Sequence, residues 1–367
     1  MFLHIPFGID RIKETRAGCP GMTKGRLSMM FNRFSKKKDE AAAPAPDAFR
    51  WCFVGTGTLA AQVAEEITKT GRHAVTAVCS RRFESAEAFA EKYGAEAYHD
   101  LNEALAFGQV DGVYVVTPHS SHYEYTKAAI EAGVPVLCEK PFSTDAKKTR
   151  ELFALARDKK VYVAEAMWTW FSPVAHKVKQ WLDDGGFGKI SKVSLSYHMN
   201  FYKNLDRLTN PEKAGGALLD IGIYPVTYIY RLFGRPKKVI CRGKVVDGID
   251  RGEEIFLQYP DGLVCHATVS MEDFRGLERL EIRGSKASVR QFLFHYADKV
   301  KLVRKKGRNE LFCGDGSYTN EFDCAAAEIR EGLTESILVP PQATMDVMVI
   351  LDECRRQMGV VYPFEEK

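Results

Sequence analysis

Three side chains in this sequence can hold or move a proton at points where the backbone cannot run regularly. Lys140 stands in Cys138-Glu139-Lys140-Pro141, between a short apolar run and a proline. A lysine placed there has few structural reasons to exist. Asp220 and Tyr224 lie in Leu218-Leu219-Asp220-Ile221-Gly222-Ile223-Tyr224-Pro225, four positions apart, so on a helix they share one face. Pro225 has no N–H for the carbonyl of Ile221, so the helix begins or bends here. An amine, a carboxylate and a phenol together suit proton exchange with an oxygen atom. A tyrosine ordinarily titrates at about 10. A cation within about 4–6 Å lowers such a value by about 1–3, so Lys140 beside Tyr224 is expected to be roughly sufficient for work near neutral pH. Asp220 would orient one of the pair and balance its charge. Plainer readings stay open: Asp220 as a helix N-cap, Tyr224 as a core aromatic.

A second group of residues points to a nucleotide. Gly55-Thr56-Gly57-Thr58-Leu59-Ala60 fits G-x-G-x-x-G/A. It follows the apolar run Arg50-Trp51-Cys52-Phe53-Val54 and opens a segment with Leu59, Val63 and Ile67 at helical spacing. A strand before and a helix after is the context that gives the motif meaning. The glycines allow a tight turn and close approach to a pyrophosphate, and the helix start offers amide donors and partial positive charge. At the end of the next apolar run an NAD site usually has Asp or Glu for the ribose hydroxyls. This chain has Ser80-Arg81-Arg82. No carboxylate repels a 2′-phosphate, and Arg81 is placed to bind one. A charge-assisted hydrogen bond contributes about 1.5–3 kcal/mol, enough for a roughly ten- to hundredfold preference. NADP is therefore expected, with NAD the lesser alternative. In an open α/β sheet ligands bind outside the carboxyl ends of the strands, which puts Lys140 where a nicotinamide ring would reach.

The elements that must position these residues follow from the periodicity. Apolar runs at 50–54, 75–79, 110–116, 134–138 and 161–164 alternate with helical segments at 58–70, 84–93, 122–132 and 145–158. That alternation predicts βαβ units and a Rossmann-type parallel sheet with helices on both faces, over residues 49–170. Lys140 then closes the fourth strand. After about residue 171 the alternation ends. Strands are predicted at 191–202, 237–246, 253–259, 263–271, 279–283 and 299–304, interrupted by one helix over 217–233 and followed by helices at 320–331 and 344–358. Residues 171–367 thus read as an α+β domain on a largely antiparallel open sheet.

The nucleotide motif, Glu139-Lys140-Pro141 and the Asp220/Tyr224 segment together resemble the Gfo/Idh/MocA oxidoreductase family, over roughly residues 50–365. Glu165-Ala166-Met167-Trp168-Thr169, the segment from Leu218 to Pro225 and Ile350-Leu351-Asp352-Glu353-Cys354-Arg355-Arg356-Gln357-Met358-Gly359 are most similar to its dimeric dihydrodiol dehydrogenase and NADP-dependent D-xylose dehydrogenase branch. The resemblance implies that Lys140 contacts the nicotinamide ribose and the reacting oxygen, with the peptide before Pro141 cis. It maps the family aspartate and the tyrosine after it to Asp220 and Tyr224. It places Thr117, Pro118, His119 and His122 along the cofactor, with Glu139, Pro141 and Trp168. It implies hydride transfer between nicotinamide and a hydroxyl or carbonyl of a small sugar, polyol or cyclic diol, in a homodimer or higher homo-oligomer. The branch carries a basic residue shortly after its tryptophan where this chain has Trp170, which would make the pocket more aromatic and less cationic. Two rivals remain: a catalytically silent NADP-binding sensor or repressor of the same fold, and a reductase of nonsugar carbonyls.

Charge and composition narrow the partners. The chain of 367 residues has a formal net charge of +4. Residues 1–48 hold nine Lys/Arg against five Asp/Glu, so the remainder sums to zero, which argues against nucleic acid as partner. Those 48 residues end in Ala41-Ala42-Ala43-Pro44-Ala45-Pro46 and read as a disordered basic tail and linker. No run of 18 apolar residues occurs, so no membrane span is predicted. Nine cysteines without a C-x-x-C pair argue for a reducing compartment, read as cytoplasmic, and against a disulfide framework. His119 and His122 are three apart, but no nearby carboxylate or cysteine completes a ligand set, and no metal is assigned.

Overall fold

The computed structural model describes residues 44–200, 205–275 and 277–365. The tail expected at the N-terminus lies outside the described residues up to position 43.

The first sheet consists of β1 (Phe49–Val54), β2 (His73–Cys79), β3 (Glu96–Tyr98), β4 (Gly112–Val115), β5 (Val136–Glu139) and β6 (Val163–Ala166), in the order β3-β2-β1-β4-β5-β6. Every neighbouring pair is parallel. Helices α1 (Thr58–Thr68), α2 (Phe83–Tyr93), α3 (Leu101–Phe107), α4 (His122–Glu131) and α5 (Ala146–Lys159) make the crossovers. The apolar runs reflect burial on both faces. Along β1, Phe49, Trp51 and Phe53 enter one core and Cys52 and Val54 the other. Two elements escape the apolar pattern: β3, three residues long with none fully buried, and α3. The signal for α3 is Asp100, whose carboxylate accepts from the N–H groups of Asn102 and Glu103. With β3 present, the strand that Lys140 follows is the fifth, not the fourth. The sheet reverses direction between β1 and β4, and that is where a ligand crevice opens.

The second sheet has eight strands: β7 (Ile190–His198), β8 (Lys238–Val246), β9 (Ile249–Gln258), β10 (Val264–Ser270), β11 (Glu278–Gly284), β12 (Ala287–Phe292), β13 (Lys299–Arg304) and β14 (Glu310–Cys313). Their order is β14-β13-β12-β11-β7-β10-β9-β8, antiparallel except for the parallel pair β7 and β10. Period-two alternation marks one buried face: Val193, Leu195 and Tyr197 on β7, Leu280 and Ile282 on β11. That face packs on α6 (Pro173–Asp183), on α7 (Ile223–Phe233) and on the last long helix. The sequence reading missed α6, which starts with Pro173 at its first turn, and the short strands β12 and β14.

Helices α8 (Thr319–Arg330) and α9 (Pro341–Met358) return to the first sheet. Phe322 sits with its ring centroid 5.0 Å from Trp51 and 4.9 Å from Tyr114. Asp323 pairs with Arg72 and His73. Helix α9 lies against α5, α7 and β8 together. Among the described residues seven cysteines are free thiols.

Candidate active site

The glycine turn fits a dinucleotide on two observations. Gly55 has φ +114°, and a Cβ there would lie 2.6 Å from the Val116 carbonyl, so only glycine lets β1 and the end of β4 approach so closely. A Cβ on Gly57 would meet nothing within 4 Å, and no side chain caps the start of α1. Open space at Gly57 therefore coincides with a helix start whose first amides have no side-chain cap, as a pyrophosphate requires. Gly55 N–H donates to the Cys79 carbonyl, which ties the turn to the end of β2. Ser80 follows directly, half-buried, and Arg81 and Arg82 are exposed. Thr56 is half-buried beside the turn, and Thr117 and Pro118 extend from β4 on the same edge.

Lys140 leaves β5 through a cis peptide to Pro141. Its ammonium donates to the Asp220 carbonyl at 2.7 Å and lies 3.4 Å from Asp220 Oδ1. It also stands 4.8 Å from the centroid of the Tyr224 ring. Asp220 belongs to a π-turn, Leu218–Gly222, that leads into α7. The bend expected from Pro225 is this turn: the missing N–H interrupts the regular ladder and the chain widens before the helix. Its start is pinned by the buried Asp250 carboxylate, which accepts from Leu218 N–H at 2.6 Å. Tyr224 is one turn further along, and its hydroxyl accepts the indole N–H of Trp168 at 3.1 Å.

Three nitrogens converge on Asp220 Oδ1: Arg207 Nη1 at 2.9 Å, Lys140 Nζ at 3.4 Å and His119 Nε2 at 3.7 Å. His119 Nδ1 faces the Ala214 carbonyl at 3.1 Å. A carbonyl only accepts, so Nδ1 carries the ring proton and Nε2 is an acceptor. His122 straps two loops, with Nδ1 2.8 Å from the Pro141 carbonyl and Nε2 2.9 Å from the Thr117 carbonyl. Glu139 points inward, accepting from the Tyr114 hydroxyl at 2.6 Å and from Lys140 N–H at 3.1 Å.

The electrostatics assign protonation states. Burial would raise the Asp220 carboxyl, but the charges of Lys140 and then Arg207 outweigh it and hold Asp220 well below the usual carboxylate range. Burial lowers His119 to about 3, so its ring is neutral. Burial lifts the Tyr224 phenol well above its ordinary value, with Glu139 adding to the rise. This corrects the expectation that Lys140 lowers it. The ammonium lies over the ring, not at the hydroxyl, and its charge is matched by Asp220. Tyr224 is therefore a protonated donor in this arrangement. Burial also raises Glu139, against the pull of Lys140.

Of the residues named from sequence, Lys140, Asp220, Tyr224 and His119 meet at one point, and Trp168 joins them through Tyr224. Arg207 was missed, because nothing in its spacing from Asp220 marks it. Beside Trp170, the Arg231 guanidinium lies 5.4 Å from the ring centroid and donates to the Trp170 carbonyl.

Residues 49–167 match the description of an oxidoreductase family with an NAD-binding Rossmann fold, and residues 175–290 match the C-terminal domain of the same family. D-xylose 1-dehydrogenase (NADP(+)) from Hypocrea jecorina is 28% identical, covering 88% of this chain and 95% of its own length. The trans-1,2-dihydrobenzene-1,2-diol dehydrogenase of Bos taurus is 30% identical over 86% of this chain and 98% of its own. A 3-ketoreductase from Actinomadura kijaniata, solved with NADP and TDP-benzene, superposes with a TM-score of 0.74 at 26% identity, covering 85% of this chain and 98% of that one. Parallel sheet, mixed sheet and sequence agree across both halves, and the chain belongs to the Gfo/Idh/MocA oxidoreductase family.

Proposed function

We propose that this protein is an NADP-dependent oxidoreductase acting between the nicotinamide and a hydroxyl or carbonyl carbon of a small sugar, polyol or cyclic diol. The relatives named above, an NADP-linked xylose dehydrogenase and a dihydrodiol dehydrogenase, support both cofactor and substrate class. The observation that carries the reading is the meeting of Lys140 from the first sheet with Tyr224 from α7, a cation 4.8 Å from a phenol ring.

In this reading the pyrophosphate lies over Gly55, Thr56, Gly57, Thr58, Leu59 and Ala60. Ser80 and Arg81 take the 2′-phosphate. Thr117, Pro118, His119, His122, Glu139, Pro141 and Trp168 line or support the nicotinamide half. The bound cofactor supplies or accepts the hydride. In reduction, Tyr224 gives its proton to the oxygen of the carbonyl. The phenolate left behind receives the Trp168 N–H, which lowers its energy inside a dry site. Asp220 fixes Lys140, and Arg207 keeps Asp220 ionised. Neutral His119 offers Nε2 to a substrate hydroxyl. A homodimer in the cytoplasm is part of this proposal, with the open face of the second sheet as the pairing surface.

The test has two steps. NADPH and NADH are titrated by fluorescence, and absorbance at the nicotinamide band is then followed with D-xylose, inositols, cyclic diols and dicarbonyls. Tight NADPH binding and turnover of a sugar, polyol or diol is the expected result. Binding without any turnover would identify a silent sensor. Turnover of dicarbonyls alone would identify a nonsugar carbonyl reductase.

A further inference from the structure

Tyr224 has a neighbour that the mechanism above leaves unused. The His295 ring lies 5.2 Å from the Tyr224 ring, tilted by 36°. It also lies 4.9 Å from the Tyr197 ring and 5.4 Å from Trp168. His295 is itself held on all sides. Its backbone N–H donates to Glu278 Oε1 at 2.7 Å, and its ring Nδ1 is 2.5 Å from that same oxygen. Its Nε2 is 3.1 Å from the Tyr197 hydroxyl. The turn that delivers it, Phe294–Tyr296, starts from Leu293 at φ 50°, a left-handed conformation that is unfavourable for leucine. Leu293 N–H bonds back to the Glu278 carbonyl, so one residue at the start of β11 fixes both backbone and ring. Strain of this kind persists only where the surroundings over-determine it.

The Glu278 side chain is 0% exposed. A carboxylate so deeply buried is costly unless a cation faces it. Among the described residues the imidazole of His295 is the basic group that lies against it, and the same ring lies alongside that of Tyr224. The other titratable groups around this point are phenols and acids: Tyr197 from β7, Tyr296 next in the chain with Tyr318 behind it, and Glu139 beyond Tyr224. Lys140 lies over the phenol ring with its charge matched by Asp220, and Glu139 raises the phenol.

We propose that His295 is a positioning residue for Tyr224, charged through Glu278, and that it stabilises the phenolate formed when Tyr224 passes its proton to the substrate oxygen. The proton leaves Tyr224 alone, and His295 keeps its own. The idea rests on the reading of Tyr224 given above.

Two variants and two readouts test it. In ¹⁵N-histidine NMR of the cofactor-free protein, the His295 signal is identified by its loss in His295→Gln. It is expected as an imidazolium at pH 7 in the wild type and as a neutral ring in Glu278→Gln. In the oxidation direction, with the substrate turned over fastest in the panel above, the rising limb of the pH profile is expected about one pH unit higher in both variants. That is about tenfold lower activity on the limb, with NADP binding unchanged within twofold. A neutral His295 in the wild type at pH 7 overturns the proposal, and so does a limb unmoved in either variant. Tyr224→Phe separates the two levels. If it is inactive while the limb stays put, His295 alone is misassigned. If it retains full turnover, the reading of Tyr224 falls and this proposal falls with it.

Discussion

Lys140 touches a backbone carbonyl, a carboxylate and an aromatic face at once, so replacing it separates chemistry from binding. Lys140→Met is expected to lower kcat by about 100-fold or more, the range for a lost proton-handling group. NADPH affinity by fluorescence should fall only a few-fold. Equal losses in both would mean that Lys140 merely anchors the nucleotide. Tyr224→Phe should cost a similar factor in kcat while leaving the far-ultraviolet circular dichroism unchanged, since the ring still packs on Tyr197 and His295. Arg81→Ala should erase a roughly ten- to hundredfold preference for NADPH over NADH, read from the ratio of kcat/KM values. An intact preference after that change would refute the 2′-phosphate assignment. The chemistry of these side chains is legible in sequence because each sits beside local punctuation: a proline after Lys140, a proline after Tyr224, glycines before α1. Their partners are not. Trp168 and Tyr224 are 56 positions apart, and Lys140 and Asp220 are 80 apart. Only the folded backbone makes those pairs.

Three elements are joined by one carboxyl at the end of β6. Glu165 accepts from Phe142 N–H at 3.1 Å, just past the Pro141 bend, and from the Thr344 hydroxyl of α9 at 2.9 Å. Burial raises its carboxyl to about 7. The unfolded chain releases this proton near 4.5, the folded chain near 7. Between those values folding takes up a proton, so stability falls as pH rises through that window and levels off above it. The loss amounts to about 3 kcal/mol. Glu165→Gln keeps the acceptor and removes the titration. Urea unfolding at pH 5 and pH 8 should therefore show a smaller difference in the variant than in the wild type. An equal difference would show that other groups carry the dependence. The elements themselves were legible where burial is two-sided and long, as in β1 and β5. They were missed where the run is short or half-exposed, as in β3 and β14, because three or four residues cannot establish a period.

The chain closes on itself late. Phe322 fills the aromatic core formed by Trp51, Phe53 and Tyr114, and it is fully buried. Phe322→Ala should destabilise the molecule by about 3–5 kcal/mol. Unfolding followed by tryptophan fluorescence should register it, since Trp51 loses its neighbour. A midpoint unchanged from wild type would mean that α8 is dispensable to the first sheet. The helical spacing around residue 322 is visible in the sequence, but its destination is not, because nothing local says which sheet an amphipathic helix will cover. The return of α8 also has a consequence for synthesis. The first strand leaves the ribosome about 270 residues before the side chain that completes its core, and at roughly 5–20 residues per second this gap is on the order of half a minute. Throughout that interval the aromatic face of the nascent nucleotide-binding half lacks the ring that covers it.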